Sequence, residues 1–114
     1  MKKGLKYDEE KPRLALVPPK SINAIGEVMT FGASKYYEGS WRDVEAWRYR
    51  DALMRHLVEY LSDPQSITTD SGFPHLWHVA ANASILCDLE NDILIERMKE
   101  NESGGIREDN QVSK

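Results

Sequence analysis

Apolar residues recur at helical spacing in three stretches of the chain. Ile22, Ile25, Met29, Ala33 and Tyr36 predict a first helix that opens on Ser21 as N-cap and ends a residue or two before Gly39. Ala46, Tyr49, Leu53, Leu57 and Tyr60 mark the inward stripe of a second, capped by Asp43 or a neighbour and stopped near Ser62 by Asp63-Pro64. A third runs from Pro74, a residue suited to a first helical turn, to about residue 98. Its middle is apolar nearly all round, which places it centrally.

The intervening segments are punctuated differently. Pro12, Pro18 and Pro19 fix φ and restrict the residues before them, so residues 4–20 read as an extended arm. Residues 37–43 and the stretch "QSITTDSGF" are loops of turn-forming residues. From residue 99 onward there is little to bury, and residues 99–114 read as a disordered tail. Gly26 and Gly32 interrupt the first helix at a cost of roughly 1 kcal/mol each relative to Ala, which points to close packing or a ligand near the backbone. The fold expected is all-α: one domain over residues 1–98, a small bundle of three main helices with an N-terminal arm. Its exposed apolar surface calls for a homo-oligomer.

Polar residues break the third helix on one face. His75, His78 and Asn82 lie at i, i+3 and i+7, His56 and Glu59 at i, i+3 on the second helix, and Asp70 just ahead of the third. Two packed helices that each present such a pair can hold a metal between them, so His56, Glu59, Asp70, His75 and His78 form a candidate ligand set. Mixed imidazole and carboxylate donors favour Mn, Fe or Zn over Mg. Glu59 and Asp70 are also the candidates to orient or deprotonate a water. Each histidine alone could equally be a satisfied core or helix-end residue; the clustering of all three in the protein is what favours a site. A second constellation joins Lys11, Arg13, Lys35, Arg42 and Arg55 with Tyr36, Tyr37 and Trp41, suiting a nucleotide whose phosphates meet cations and whose base stacks on a ring. Ordinary surface charge explains Lys11 and Arg42 as well. Trp47 and Trp77 are expected in core or interface.

Composition narrows the partners. With 15 Lys and Arg against 19 Asp and Glu, net charge −4, the 114-residue chain offers no broad positive surface for duplex nucleic acid. Cys87, the single cysteine, sits between leucines, as a buried thiol in a reducing cytoplasmic compartment would. Charged residues follow Met1-Lys2-Lys3-Gly4 and no apolar run is long enough to cross a bilayer, so secretion and membrane insertion are disfavoured.

Over residues 4–90 the motifs "GLKYDEEKPRLALVPP", "TFGASKY", the following "SW", "LMRHL" and "DSGFPHLWHVAANASIL" with a nearby "LE" resemble those of phage and bacterial dATP/dGTP diphosphohydrolases of the N-terminal type. Those are considered relatives of the MazG-like all-α nucleotide pyrophosphohydrolases, which are commonly dimers or tetramers. The resemblance implies a cytoplasmic protein, in the host cell if phage-encoded, that hydrolyses a purine (deoxy)nucleoside triphosphate to monophosphate and pyrophosphate. The nucleotide contacts expected from the basic and aromatic constellation and the polar line are Lys11, Arg13, Lys35, Tyr36, Trp41, Arg55 and Asn82. The MazG-like pattern has E-E-x-x-E on one helix and E-x-x-D on the next. Glu59 aligns with the last carboxylate of the first motif, His56 with its second, and His75 and His78 with the ends of the second motif. Arg55 replaces a ligand by a cation that can meet a phosphate but cannot bind metal. This departure keeps a second reading open, a module that captures a nucleotide without cleaving it. A third is a helical interaction protein whose polar line is a buried hydrogen-bond network.

Overall fold

The computed structural model describes residues 11–104, and over them the protein is all-α. Helix α1 spans Pro19–Lys35, α2 Ala46–Ser62, α3 His75–Leu89 and α4 Asn91–Gly104, with 3-10 turns at Leu14–Leu16 and Ser40–Asp43. Residues 4–10 of the expected arm and residues 105–114 of the expected tail lie outside the described residues. Helix α3 is central, packing on both α1 and α2 and burying Ala81, Asn82 and Ile85, as its all-round apolar pattern predicts.

Several boundaries move, each for a local reason. Helix α1 starts at Pro19, not after a Ser21 cap. Pro19 occupies the first helical position, where its missing N–H costs nothing, and Ser21 N–H already donates to Pro18 O at 3.1 Å. The helix ends at Lys35, earlier than Gly39 suggested, when Tyr36 leaves helical geometry. Its inward line includes Ala24, Val28 and Phe31, leaving Ile22 and Tyr36 exposed. A Cβ built at Gly26 or Gly32 would meet no heavy atom within 4 Å, so neither marks a close approach. Asp43 does not cap α2: it belongs to the preceding turn and accepts a hydrogen bond from Tyr37 Oη, while Glu45 holds the cap position and pairs with Arg48 at 2.9 Å. All five predicted stripe residues of α2 are half-buried.

The largest departure is at Glu90, where the expected helix 74–98 divides into α3 and α4. Pro74 precedes α3 as its cap, and the polar run Glu90-Asn91-Asp92 puts an acid into the first turn of the next helix, where the helix dipole favours it. An Arg50–Glu90 ion pair of 2.7 Å ties this corner to α2. Helix α4 continues to Gly104, so residues 99–104, expected in a disordered tail, are helical. Cys87, expected inside, is exposed and lends no support to a buried thiol. Among the described residues the buried apolar set is only Ala24, Ala81 and Ile85.

Candidate functional site

The segment between α2 and α3 is pinned into a tight turn. Thr68 N–H donates to Phe73 O (2.9 Å), His75 N–H to Ser66 O (3.0 Å) and Gly72 N–H to Thr68 O (3.1 Å), with Gly72 at φ 80°, a conformation glycine adopts without strain. That turn delivers Asp70 and the start of α3 to the flank of α2. Because α2 and α3 pack on each other, the i, i+3 spacings then bring the three imidazoles together. His56 Nδ1 lies 2.8 Å from His75 Nδ1, and the His56 and His78 rings stack with centroids 4.5 Å apart and planes 15° from parallel. A nitrogen pair at that distance shares one hydrogen, one ring donating and the other accepting.

The cleft beside this cluster has a volume of about 870 Å³. That lies within the ~300–1,000 Å³ usual for small-molecule sites. Its polar wall carries His56, His75, Glu59, Asp70, Arg55 and Asp51, and its apolar wall Met54, Val58 and Ile67, which are 60%, 52% and 58% exposed. Lys35 reaches across from the end of α1 to Asp70 Oδ2 at 3.2 Å. The hydrogen bond to that carboxylate, and its charge, raise the Lys35 pKa. Burial, then the neighbouring His78, His75 and Arg55, push the His56 pKa down to about 4, and burial followed by His75 lowers that of His78. His56 is therefore an uncharged ring at neutral pH. An anion entering the cleft stabilises the protonated form of such a ring.

Other expected site residues sit elsewhere. Asn82 is buried, its amide donating to His78 O at 2.7 Å one turn back. Trp41 carries the Arg42 guanidinium 4.5 Å from its ring and lines a separate hollow of about 470 Å³ with Met29, Ser84 and Cys87. Tyr36 is exposed beneath the Lys35 ammonium, 5.6 Å away, and Lys11 and Arg13 stand exposed ahead of the Leu14 turn. Trp77 is half-buried against Phe73, whereas Trp47 is half exposed under Arg48. Among the described residues no three His, Cys, Asp or Glu side chains converge closely enough to hold one ion. The donors do not fit a preformed metal set: His56 and His75 close on each other, and Asp70 is engaged by Lys35. Two residues that sequence patterning passed over are Thr68 and Ser71, whose hydroxyls hydrogen-bond to each other at 2.7 Å; Ser71 Oγ also lies 2.8 Å from His78 Nε2. Their signal was the polar turn "TTDS", which reads as loop chemistry alone.

Comparison with known proteins supplies a context for this cleft. Residues 1–98 match the family described as dATP/dGTP diphosphohydrolase, N-terminal. The chain belongs to that family. A dATP/dGTP diphosphohydrolase of Salmonella phage PMBT28 is 28% identical over 89 residues, covering 78% of this chain and 30% of that protein. The chain thus spans under a third of that relative's length. No solved structure matches the chain. The family match covers all five histidine and carboxylate positions of the cleft. No described helix is long and apolar enough to cross a membrane.

Proposed function

We propose that the cleft binds a purine (deoxy)nucleoside triphosphate and hydrolyses it at the α–β bridge. The observation that carries this reading is the meeting of His56, His75, Asp51, Glu59, Asp70 and Arg55 in one cleft, with Lys35 paired to Asp70 at its edge, in a chain from a diphosphohydrolase family. Arg55 and Lys35 neutralise the phosphates, and the base lies along Met54, Val58 and Ile67. Glu59 or Asp70 takes a proton from water as its oxygen bonds to phosphorus. The bond from that phosphorus to the bridging oxygen breaks, and monophosphate and pyrophosphate leave. His56 starts neutral and can donate to the developing charge once the anion has raised its proton affinity. Binding of the triphosphate competes with Asp70 for Lys35, so substrate entry frees that carboxylate as one of the two candidates to act on water.

The divalent ion enters this reading with the triphosphate. When bound it would polarise phosphoryl oxygens, brought in by the triphosphate and not by a protein ligand set, since His56 and His75 close on each other and Asp70 on Lys35. The exposed apolar residues of α2 and α4 support a homo-oligomer, a dimer or tetramer, in the cytoplasm. The engagement of His56 with His75 and of Asp70 with Lys35 favours one alternative, capture of the nucleotide without cleavage. Incubation of the protein with each deoxynucleoside triphosphate and Mn²⁺ or Mg²⁺, followed by chromatography, separates the two. Monophosphate accumulating over many turnovers supports hydrolysis; intact nucleotide released only on denaturation supports capture and overturns it.

A further inference from the structure

Behind the imidazole cluster the hydroxyls of the α2–α3 turn form a chain whose hydrogens can be counted. Thr68 is buried at 8% exposure, and its Oγ1 accepts the Ser71 backbone N–H at 3.3 Å. Ser71 Oγ lies 2.7 Å from Thr68 Oγ1, accepts the Phe73 N–H at 3.1 Å and lies 2.8 Å from His78 Nε2. If Thr68 donates to Ser71, both lone pairs of the Ser71 oxygen are filled by Thr68 O–H and Phe73 N–H, and the Ser71 hydrogen has one place to go, His78 Nε2. The reverse order strands the hydroxyl hydrogen of buried Thr68, which native structures avoid. Both hydroxyl hydrogens are used only when His78 accepts at Nε2 and so carries its proton on Nδ1. His78 in turn lies flat against His56, the ring that faces the cleft.

We propose that Ser71, backed by Thr68, is a positioning residue that holds His78 as its Nδ1–H tautomer and thereby sets the ring on which His56 stacks. The catalytic half of this inference rests on the hydrolase reading above; the tautomer half does not. A single tautomer fixes which edge of His78 points back into the turn, and the stacked geometry carries that orientation to His56. Outer partners that fix ring tautomer and direction are worth about ten-fold or more in metal affinity or activity at metal-binding histidines, which sets the scale expected for a positioned ring here.

The test pairs imidazole ¹⁵N spectra with kinetics on the full chain. In the unsubstituted protein His78 is expected as the Nδ1–H form. Ser71→Ala should move it toward Nε2–H and lower kcat about ten-fold with KM unchanged, the pattern of an interaction made in the transition state. Ser71→Thr, which keeps the hydroxyl, should restore both, and Thr68→Val, which leaves the Ser71 hydrogen His78 Nε2 as its acceptor, should keep the Nδ1–H form. Should Ser71→Ala not fold, Ser71→Cys, a weaker donor, against Ser71→Thr gives the same comparison. His78 remaining Nδ1–H after loss of the Ser71 hydroxyl overturns the inference, as does a changed tautomer with kcat unaltered. An unsubstituted protein that cleaves no nucleotide removes the hydrolase reading, and the spectra still decide whether Ser71 sets His78.

Discussion

His56 meets two demands that pull against each other: it must stay uncharged among two other imidazoles and Arg55, yet lie where a polyanion arrives. Its folded pKa of about 4 lies below the ordinary 6.5, so between those values the unfolded chain binds the extra proton. The stability this group contributes is complete above about pH 6.5 and lost as the pH falls toward 4. Thermal melts across that window should show Tm falling with acidification, and His56→Gln, which cannot titrate, should flatten the slope; equal slopes would count against a ring held neutral by burial. Arg55 has a simpler role, as a cation on the cleft wall. Arg55→Ala should weaken triphosphate binding about ten-fold, equivalent to roughly 1.4 kcal/mol, while Arg42→Ala, stacked on Trp41 at the other hollow, should leave it unchanged. Isothermal titration with a non-hydrolysable triphosphate measures both.

At the scale of elements, glycine position separates two outcomes that sequence alone merges. Gly26 lies mid-helix with open space where a Cβ would go, whereas Gly39 has φ 77° and would bring a Cβ to 2.8 Å from Arg42 Nη1. Gly26→Ala should therefore raise unfolding free energy by up to about 1 kcal/mol. Gly39→Ala should lower it by about 1–2 kcal/mol, because L-residues pay for left-handed backbone. Urea unfolding of the two variants checks the opposite signs. The stripe of α2 was legible because its residues follow one helical period against one neighbour, and the imidazole cluster because i, i+3 spacing on two packed helices leaves little freedom. The break at Glu90 was not legible: the apolar residues on either side of it keep a helical rhythm, and only the short polar run Glu90-Asn91-Asp92 marks the new helix start. Burial of Cys87 was misread for a related reason. Local apolarity says nothing about whether another element covers that face, and here Cys87 is left exposed. That Trp41 lines the other hollow and Asn82 turns back onto its own helix depends on loop path and helix rotation, which residue type does not encode.

At the scale of the molecule, the described residues bury little hydrocarbon for a lone subunit. Among the described residues the apolar core is two alanines and one isoleucine, while Trp47, Met54, Val58 and Leu61 of α2 stand 49–68% exposed at spacings of seven, four and three residues, a period that repeats on one helical face. Burying a large side chain of this kind contributes about 1.5–3 kcal/mol, so leaving the whole row in water forgoes much of what stabilises a small domain. Met54 and Val58 belong at once to this row and to the apolar wall of the cleft, so a second copy laid along α2 would border the site as well as cover the stripe. We therefore expect a homo-oligomer in solution. Light scattering should give a mass at least twice 13.1 kDa. Leu61→Asp, at the end of the row farthest from Trp47 and outside the cleft wall, should shift the mass toward the monomer and make Tm depend on protein concentration. The same substitution leaves Arg55 and the imidazoles in place, so a monomeric variant that binds triphosphate less tightly would assign the loss to the neighbouring copy's border on the cleft. A monodisperse monomer for the unsubstituted chain, with a Tm independent of concentration, would instead mean that this surface is covered by another occupant or tolerated bare.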